Sequence, residues 1–172
     1  MTIRKGEQWG HSVARPDGLV LAANDHALAD LLAAGGPAPA GVAGGDMYRA
    51  VGAPGDRDTV MLLPIDLLRV IANGTKHVAV AHVVARRSWW RGAIVGVMNV
   101  DHLGEWNAAP RAHPNDGRFD VIEVDEAMTI RQRLQARSRL RHGTHTPHPG
   151  IATRTGTELD WHFVRPMQLW ID

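Results

Sequence analysis

The sequence predicts an α+β protein. A short N-terminal α/β segment, residues 1–58, is expected to pack on a β-sandwich-like domain, residues 59–172, crossed by one helix. Three observations lead there. The chain has 172 residues, enough for one domain or one domain with a short appendage. Its first third is rich in Ala, Gly, Pro and Asp, whereas residues 59–125 form a succession of short apolar runs separated by turn residues. One long stretch with helical spacing follows, at 126–141.

In the first segment, 19–22 (Leu-Val-Leu-Ala) reads as a short strand, with Asn24 or Asp25 capping a helix behind it. Ala27, Leu28, Leu31 and Leu32 give that helix its apolar face, and Gly35-Gly36-Pro37 stops it. Residues 41–46 read as a strand entering a glycine turn, and 47–51 as the start of a second helix. The breaker cluster Gly52-Ala53-Pro54-Gly55-Asp56 marks the expected boundary.

In the second segment, 59–63 and 65–72 are apolar runs split by Pro64, and Asn73-Gly74 is a strong hairpin signal. Residues 78–84 read as one further strand. The Arg-Arg-Ser-Trp-Trp-Arg-Gly tip at 86–92 then leads to a strand at 93–100, and 119–124 is another. Ala127, Ile130 and Leu134 give the helix at 126–141 its apolar spacing. Residues 151–155 and 159–164 suggest a hairpin around Gly156, and 168–172 a closing strand. Residues 1–17 suggest no element.

Composition narrows the function classes. Hydrophobic residues at 44% and charged residues at 22% exclude wholesale disorder. A net charge of +1 argues against a general nucleic-acid coat, which needs a large basic excess. The absence of cysteine excludes thiol nucleophiles, disulfides, thiolate zinc sites and iron–sulfur clusters. No apolar run approaches the roughly 18 residues of a transmembrane helix, and the first residues lack a signal-peptide core, so a cytoplasmic location is expected. No serine sits in a Gly-x-Ser-x-Gly elbow, and neither lysine completes a phosphate-binding loop of the Walker type.

The densest chemistry lies in 99–117, where Asp101, His102, Glu105, Arg111, His113 and Asp116 surround Trp106. Long connections of this kind are often functional. The run His113-Pro114-Asn115-Asp116-Gly117 combines a carboxylate with several turn carbonyls, the donor set a hard cation favours. It is equally an Asn-Asp-Gly turn capping the strand that starts at Phe119. His142, His145 and His148 share a zinc-like spacing, but Gly143, Pro147 and Pro149 favour a polar loop. His82 reads as a core or edge histidine. Arg131, Arg133, Arg137, Arg139 and Arg141 suit a solvated helix face or an anionic-lipid surface. Trp89-Trp90 suits a packed tip, a dimer contact or a membrane interface.

Read together, Pro64-Ile65-Asp66-Leu67, the 99–104 run, the 110–120 run with its Pro-Asn-Asp-Gly core, and the closing Leu169-Trp170-Ile171-Asp172 resemble the diacylglycerol kinase and bacterial lipid kinase family. The resemblance covers roughly residues 60–172 and is strongest at Pro114-Asn115-Asp116-Gly117-Arg118-Phe119-Asp120. It implies the β-rich C-terminal domain of that family, which follows an NAD-kinase-like nucleotide domain. The reaction it implies moves the γ-phosphoryl group of ATP to a lipid hydroxyl.

By that resemblance, Asp116 would hold Mg²⁺ with the backbone oxygens of His113 and Arg118, and Asp172 matches the Asp of the family's acceptor-activating Asp-Gly-Glu motif. Gly44-Gly45-Asp46 matches the opening of a Gly-Gly-Asp-Gly-Thr nucleotide signature, with Met47 and Tyr48 where Gly and Thr would stand. A bulky residue at that position obstructs close approach of backbone to phosphate. The first expectation is therefore a non-catalytic relative that binds a lipid, a small phosphorylated ligand or a protein partner, with homo-oligomers allowed. A second is an ATP-dependent lipid kinase in which Asp116 organises the site and Asp172 acts as base. A third is a subunit completed by a partner that carries the nucleotide domain.

Overall fold

The computed structural model describes residues 9–36, 39–52 and 58–172. The protein is a mixed α+β structure dominated by strands. In the first segment, β2 (Leu21–Ala22) and β3 (Gly41–Val42) pair in parallel around α1 (Asp25–Ala33), and α2 (Asp46–Ala50) follows. Asn24 caps α1 by accepting the Ala27 N–H at 2.9 Å. Gly35, at φ 71°, takes the left-handed turn that ends the helix. Leu28, Ala29, Met47 and Ala22 are buried against Val80, Ala81 and Val100 of the second segment.

Ala53, Pro54, Gly55 and Asp56 of the expected boundary lie outside the described residues. The strands flanking it pair across it: β1 (His11–Ala14) runs antiparallel to β4 (Thr59–Leu62). The hairpin signal at Asn73-Gly74 joins β5 (Leu68–Ala72) to β6 (Thr75–Ala79), with φ of 50° and 81° at the two turn residues.

The single strand expected at 78–84 is two strands, β6 and β7 (His82–Arg86). The break falls at Val80 and Ala81, which are fully buried and whose backbone N–H groups turn to a carboxylate instead of a neighbouring strand. The connection at 99–117 contains a small hairpin, β9 (His102–Leu103) with β10 (Trp106–Asn107).

The central sheet has the order β12-β11-β8-β7-β13, all antiparallel, with β8 (Ile94–Met98), β11 (Phe119–Val124), β12 (Ile151–Gly156) and β13 (Gln168–Ile171). Residues 159–164 form no strand, and β12 pairs with β11 instead of a hairpin partner. Strand alternation gives the sheet two apolar faces. Val83, Val97 and Phe119 pack on Leu68 and Ala79 of the β5–β6 hairpin, while Ala85, Val95 and Val121 pack on Leu159, Phe163 and Met167. Val84, Ile94, Gly96, Met98, Ile122 and Val124 face the other way, toward α3 (Ile130–Leu140). The layers are thus a hairpin, a five-stranded sheet and a helix, and the second layer of the expected sandwich is only two strands wide.

α3 starts four residues later than the sequence suggests, at a capping box in which Thr129 and Gln132 bond reciprocally. Its buried side chains are Arg133 and Ala136, and the expected apolar face, Ile130 and Leu134, is exposed. Arg133 explains the rotation. Its guanidinium donates to four carbonyls, those of Met128 (3.0 Å), Trp89 (3.4 Å), Gly92 (2.5 Å) and Asp125 (2.9 Å). A planar fork with five donors satisfies carbonyls that an ammonium group reaches only in part. Arg133→Lys is accordingly expected to lower the unfolding free energy by about 2 kcal/mol, measured by urea titration, whereas Arg139→Lys on the exposed side of α3 should leave it within error.

Candidate functional site

Two places concentrate buried polar chemistry or enclosed apolar space. The first is a carboxylate–imidazole cluster where the N-terminal segment meets the sheet. The second is an apolar cavity beneath α3.

The cluster begins at the glycine turn. Gly45 has φ 98°, and a Cβ there would collide with the Asp25 carboxylate. That carboxylate accepts the N–H groups of Asp46 (2.5 Å) and Met47 (3.1 Å). Two backbone donors at the end of the Gly44-Gly45-Asp46 turn, those of Asp46 and Met47, are therefore engaged by a side chain of this protein. Asp46 points away from the turn. It accepts from Gly104 N–H at 2.8 Å, pairs with Arg49 at 3.1 Å, and meets His82 Nε2 at 3.1 Å. Arg49 also donates to the Gly104 carbonyl.

Asp172 approaches from the other end of the chain. Its carboxylate accepts from Val80 (2.7 Å), Ala81 (2.9 Å) and His82 (2.8 Å), a row of successive N–H groups that forms an anion-binding nest. Its own N–H donates to the His82 carbonyl at 3.1 Å.

The electrostatics follow from this crowding. Burial works against a charged His82, yet the Asp46 hydrogen bond and the charges of Asp172, Asp46 and Asp25 outweigh it and hold the imidazole above its ordinary value. Burial likewise opposes ionised Asp46, but His82 and the Gly104 N–H hold it below the usual carboxylate range. Asp25 is pushed up by burial, with the Asp172 and Asp46 charges adding to it against the pull of its two N–H donors.

Asp116 sits in the other region singled out by sequence. Its Oδ1 accepts the Arg118 N–H at 2.9 Å, closing the turn on itself. Asp66 ties the turn down, accepting from Gly117 N–H at 2.7 Å and donating its own N–H to the Pro114 carbonyl at 2.7 Å. The His113 ring lies against Trp9, with centroids 4.7 Å apart, and accepts the Asn115 N–H at 3.3 Å. Asn99, buried, bridges the Asp66 and Val80 carbonyls at 3.0 and 2.8 Å. The structure thus brings Asp46 and Asp172 together around His82, and connects the 113–118 turn to them through Asp66, Asn99 and Val80. Among the described residues no three His, Asp or Glu side chains converge on a common metal position. The set expected at Asp116, one carboxylate with the His113 and Arg118 carbonyls, is of a different kind.

The cavity beneath α3 has a volume of about 110 Å³. Its floor is the sheet face at Gly96, Met98 and Ile122, its roof is Ala136 and Leu140, and its wall is Trp89, Trp90 and Trp106. Trp89 and Trp106 meet edge to face at 5.3 Å. Arg137 lies over the rings of Trp90 (5.3 Å) and Trp106 (4.9 Å) at the edge of the cavity. His145 also lines it and is 3% exposed. Burial holds that imidazole below its ordinary value, against the Ala108 backbone, which raises it. His148 instead accepts the Gly150 N–H at 3.0 Å, and His142 is exposed, so the three histidines do not meet.

Comparison of the chain with known protein families, curated proteins and solved structures found no match. The site therefore rests on its own geometry. Sequence reasoning named Asp25 only as an alternative helix cap and gave it no part in the site. It also passed over Gly96 and Ala136, whose small size creates the cavity. The signal for Asp25 was its place at a helix start, where Asn24 proves to be the cap.

The His82–Asp46 pair makes a pH prediction. A raised imidazole contributes its full stability below about pH 6.5 and loses it as pH rises through the folded value, while the lowered Asp46 loses its contribution only below about pH 3.8. Removing one partner of a buried pair costs about 3 kcal/mol. His82→Gln should therefore be destabilised relative to wild type by about that amount near pH 6, and the gap should narrow toward pH 9. Denaturant titrations of both proteins across this range check it, and a gap independent of pH would refute the assignment.

Proposed function

We propose that this chain is a lipid-kinase-like binding module that takes the apolar chain of a lipid into the cavity beneath α3 and does not itself transfer phosphate. The observation that carries the reading is the cavity: an apolar chamber with aromatic walls, a cationic edge and one buried imidazole. Ligand sites characteristically combine an apolar lining with a few placed polar groups. An engineered apolar cavity of about 150 Å³ holds benzene, so a chamber of 110 Å³ is on the scale of a short stretch of acyl chain. The neutral His145 suits a hydroxyl or carbonyl of the ligand through the ring nitrogen that the Ala108 backbone does not engage.

The glycine turn supports the non-catalytic half of the reading. Phosphoryl transfer depends on donors that cradle the phosphates. Here those at Asp46 and Met47 face the Asp25 carboxylate, whose charge repels a phosphate. Asp172, the residue that resemblance assigns as base, has its carboxylate engaged by three N–H groups.

Gly96→Val tests the cavity. A Cβ at Gly96 has no neighbour closer than 3.9 Å, so the larger residue fits the strand and fills the chamber. Decanoic acid and 1-monodecanoylglycerol should bind the wild type in calorimetry, and a ligand at 100 times its dissociation constant should add about 2.7 kcal/mol to stability. The Gly96→Val protein should melt no lower than wild type and lose at least about tenfold in affinity, as one extra methylene already shifts discrimination in an apolar pocket by about that factor. Equal binding by both proteins, or none by the wild type, would overturn the proposal, as would ATP turnover by the purified chain.

A further inference from the structure

The apolar residues that the helical spacing assigned to the core, Ile130 and Leu134, are 46% and 52% exposed. They fall at positions i and i+4 of α3, and Arg137 and Arg141 continue the same stripe at i+7 and i+11, all within about 60° around the helix axis. The stripe runs beside the β7–β8 tip, because Arg137 reaches over Trp90 and the buried Arg133 bonds the Trp89 and Gly92 carbonyls. Trp90, 39% exposed, and the exposed Arg91 extend the surface onto that tip.

The charge on this face is predominantly positive. α3 contains no acidic residue, and Arg137 has no carboxylate partner among the described residues. The one carboxylate bonded to the stripe is Glu105, which pairs with Arg141 at 2.6 Å while both remain largely exposed. Tryptophan at the edge of an apolar stripe flanked by arginines is the composition of a surface that lies in the headgroup layer of a membrane. Trp90 and Arg137 also line the cavity, so the cavity and this face share residues.

We propose that the face formed by Ile130, Leu134, Arg137, Arg141, Trp90 and Arg91 docks on an anionic phospholipid bilayer. The arginines meet the headgroup phosphates, and Ile130, Leu134 and Trp90 enter the boundary between headgroups and acyl chains. The docking needs no ligand in the cavity and stands apart from what the cavity holds.

Co-sedimentation tests it, with vesicles of phosphatidylcholine alone and of phosphatidylcholine mixed with phosphatidylglycerol. The wild type should bind the mixed vesicles, bind the neutral ones far less, and lose binding as salt is raised. Arg91→Ala should weaken binding by about fivefold, the contribution of one cation near an anionic surface. Leu134→Glu should weaken it by about tenfold or more, because a buried leucine is replaced by a charge the bilayer repels. Leu134 and Ile130 are both exposed, so either glutamate variant should melt like wild type, and Ile130→Glu serves should Leu134→Glu misfold. Gly96→Val, which fills the cavity, should bind vesicles like wild type, so failure of docking and failure of ligand binding are distinguishable. Absence of binding to the mixed vesicles, equal binding to both kinds, or undiminished binding by the folded glutamate variants would each overturn the proposal.

Discussion

The N-terminal segment and the sheet are joined by carboxylates that reach across the fold to backbone N–H groups. Asp25 takes the donors of the glycine turn, Asp172 takes those of Val80, Ala81 and His82, and Asp46 takes that of Gly104 while pairing with His82. Each contact links residues far apart in sequence. The charges are tolerable together because every one is met by charge-assisted hydrogen bonds or by the imidazolium. The Asp172 nest also ends β6 and starts β7, since donors turned to a carboxylate are lost to a sheet ladder. That interruption lets Val80 and Ala81 bury against α1 and α2.

The same economy of space shapes the opposite side of the sheet. A helix laid on a sheet with leucines inward fills the gap between them, but α3 turns Arg133 and Ala136 inward. Arg133 spends its fork on the loop carbonyls that hold the β7–β8 tip, and Ala136 faces Gly96 across the remaining space. The tryptophans stand around that space without filling it. Turning Arg133 inward leaves Ile130 and Leu134 outside, so the cavity and the exposed stripe have one origin.

Much of the architecture was legible in the sequence where local chemistry decides. Asn73-Gly74 demanded a tight hairpin, Asn24 or Asp25 a helix cap, and the run at 119–124 a strand. What was hidden depended on long-range partners. The strand at 78–84 is split by a residue about 90 positions away, and the face of α3 was misjudged because a buried arginine satisfied by carbonyls looks in sequence like a solvated one. Of the candidate site, Asp46 and Asp172 were singled out through family resemblance, and the structure brings both to His82. Gly96 was not singled out, Asp25 was named only as a possible helix cap and His145 only as one of three histidines in a polar loop, because none of them carries a local pattern of its own. The 113–118 region does form a turn closed by Asp116, as its Asn-Asp-Gly composition suggests.

The account rests most heavily on the carboxylates that bind backbone donors across the fold, and amide hydrogen exchange followed by NMR reads those donors one at a time. The amides of Val80 and Ala81, although they lie between strands, and that of His82 at the start of β7 should exchange as slowly as those of β8. In Asp172→Ala all three should lose protection together while β8 keeps its own. Fast exchange at these amides in the wild type, or protection unchanged in the variant, would contradict the central claim.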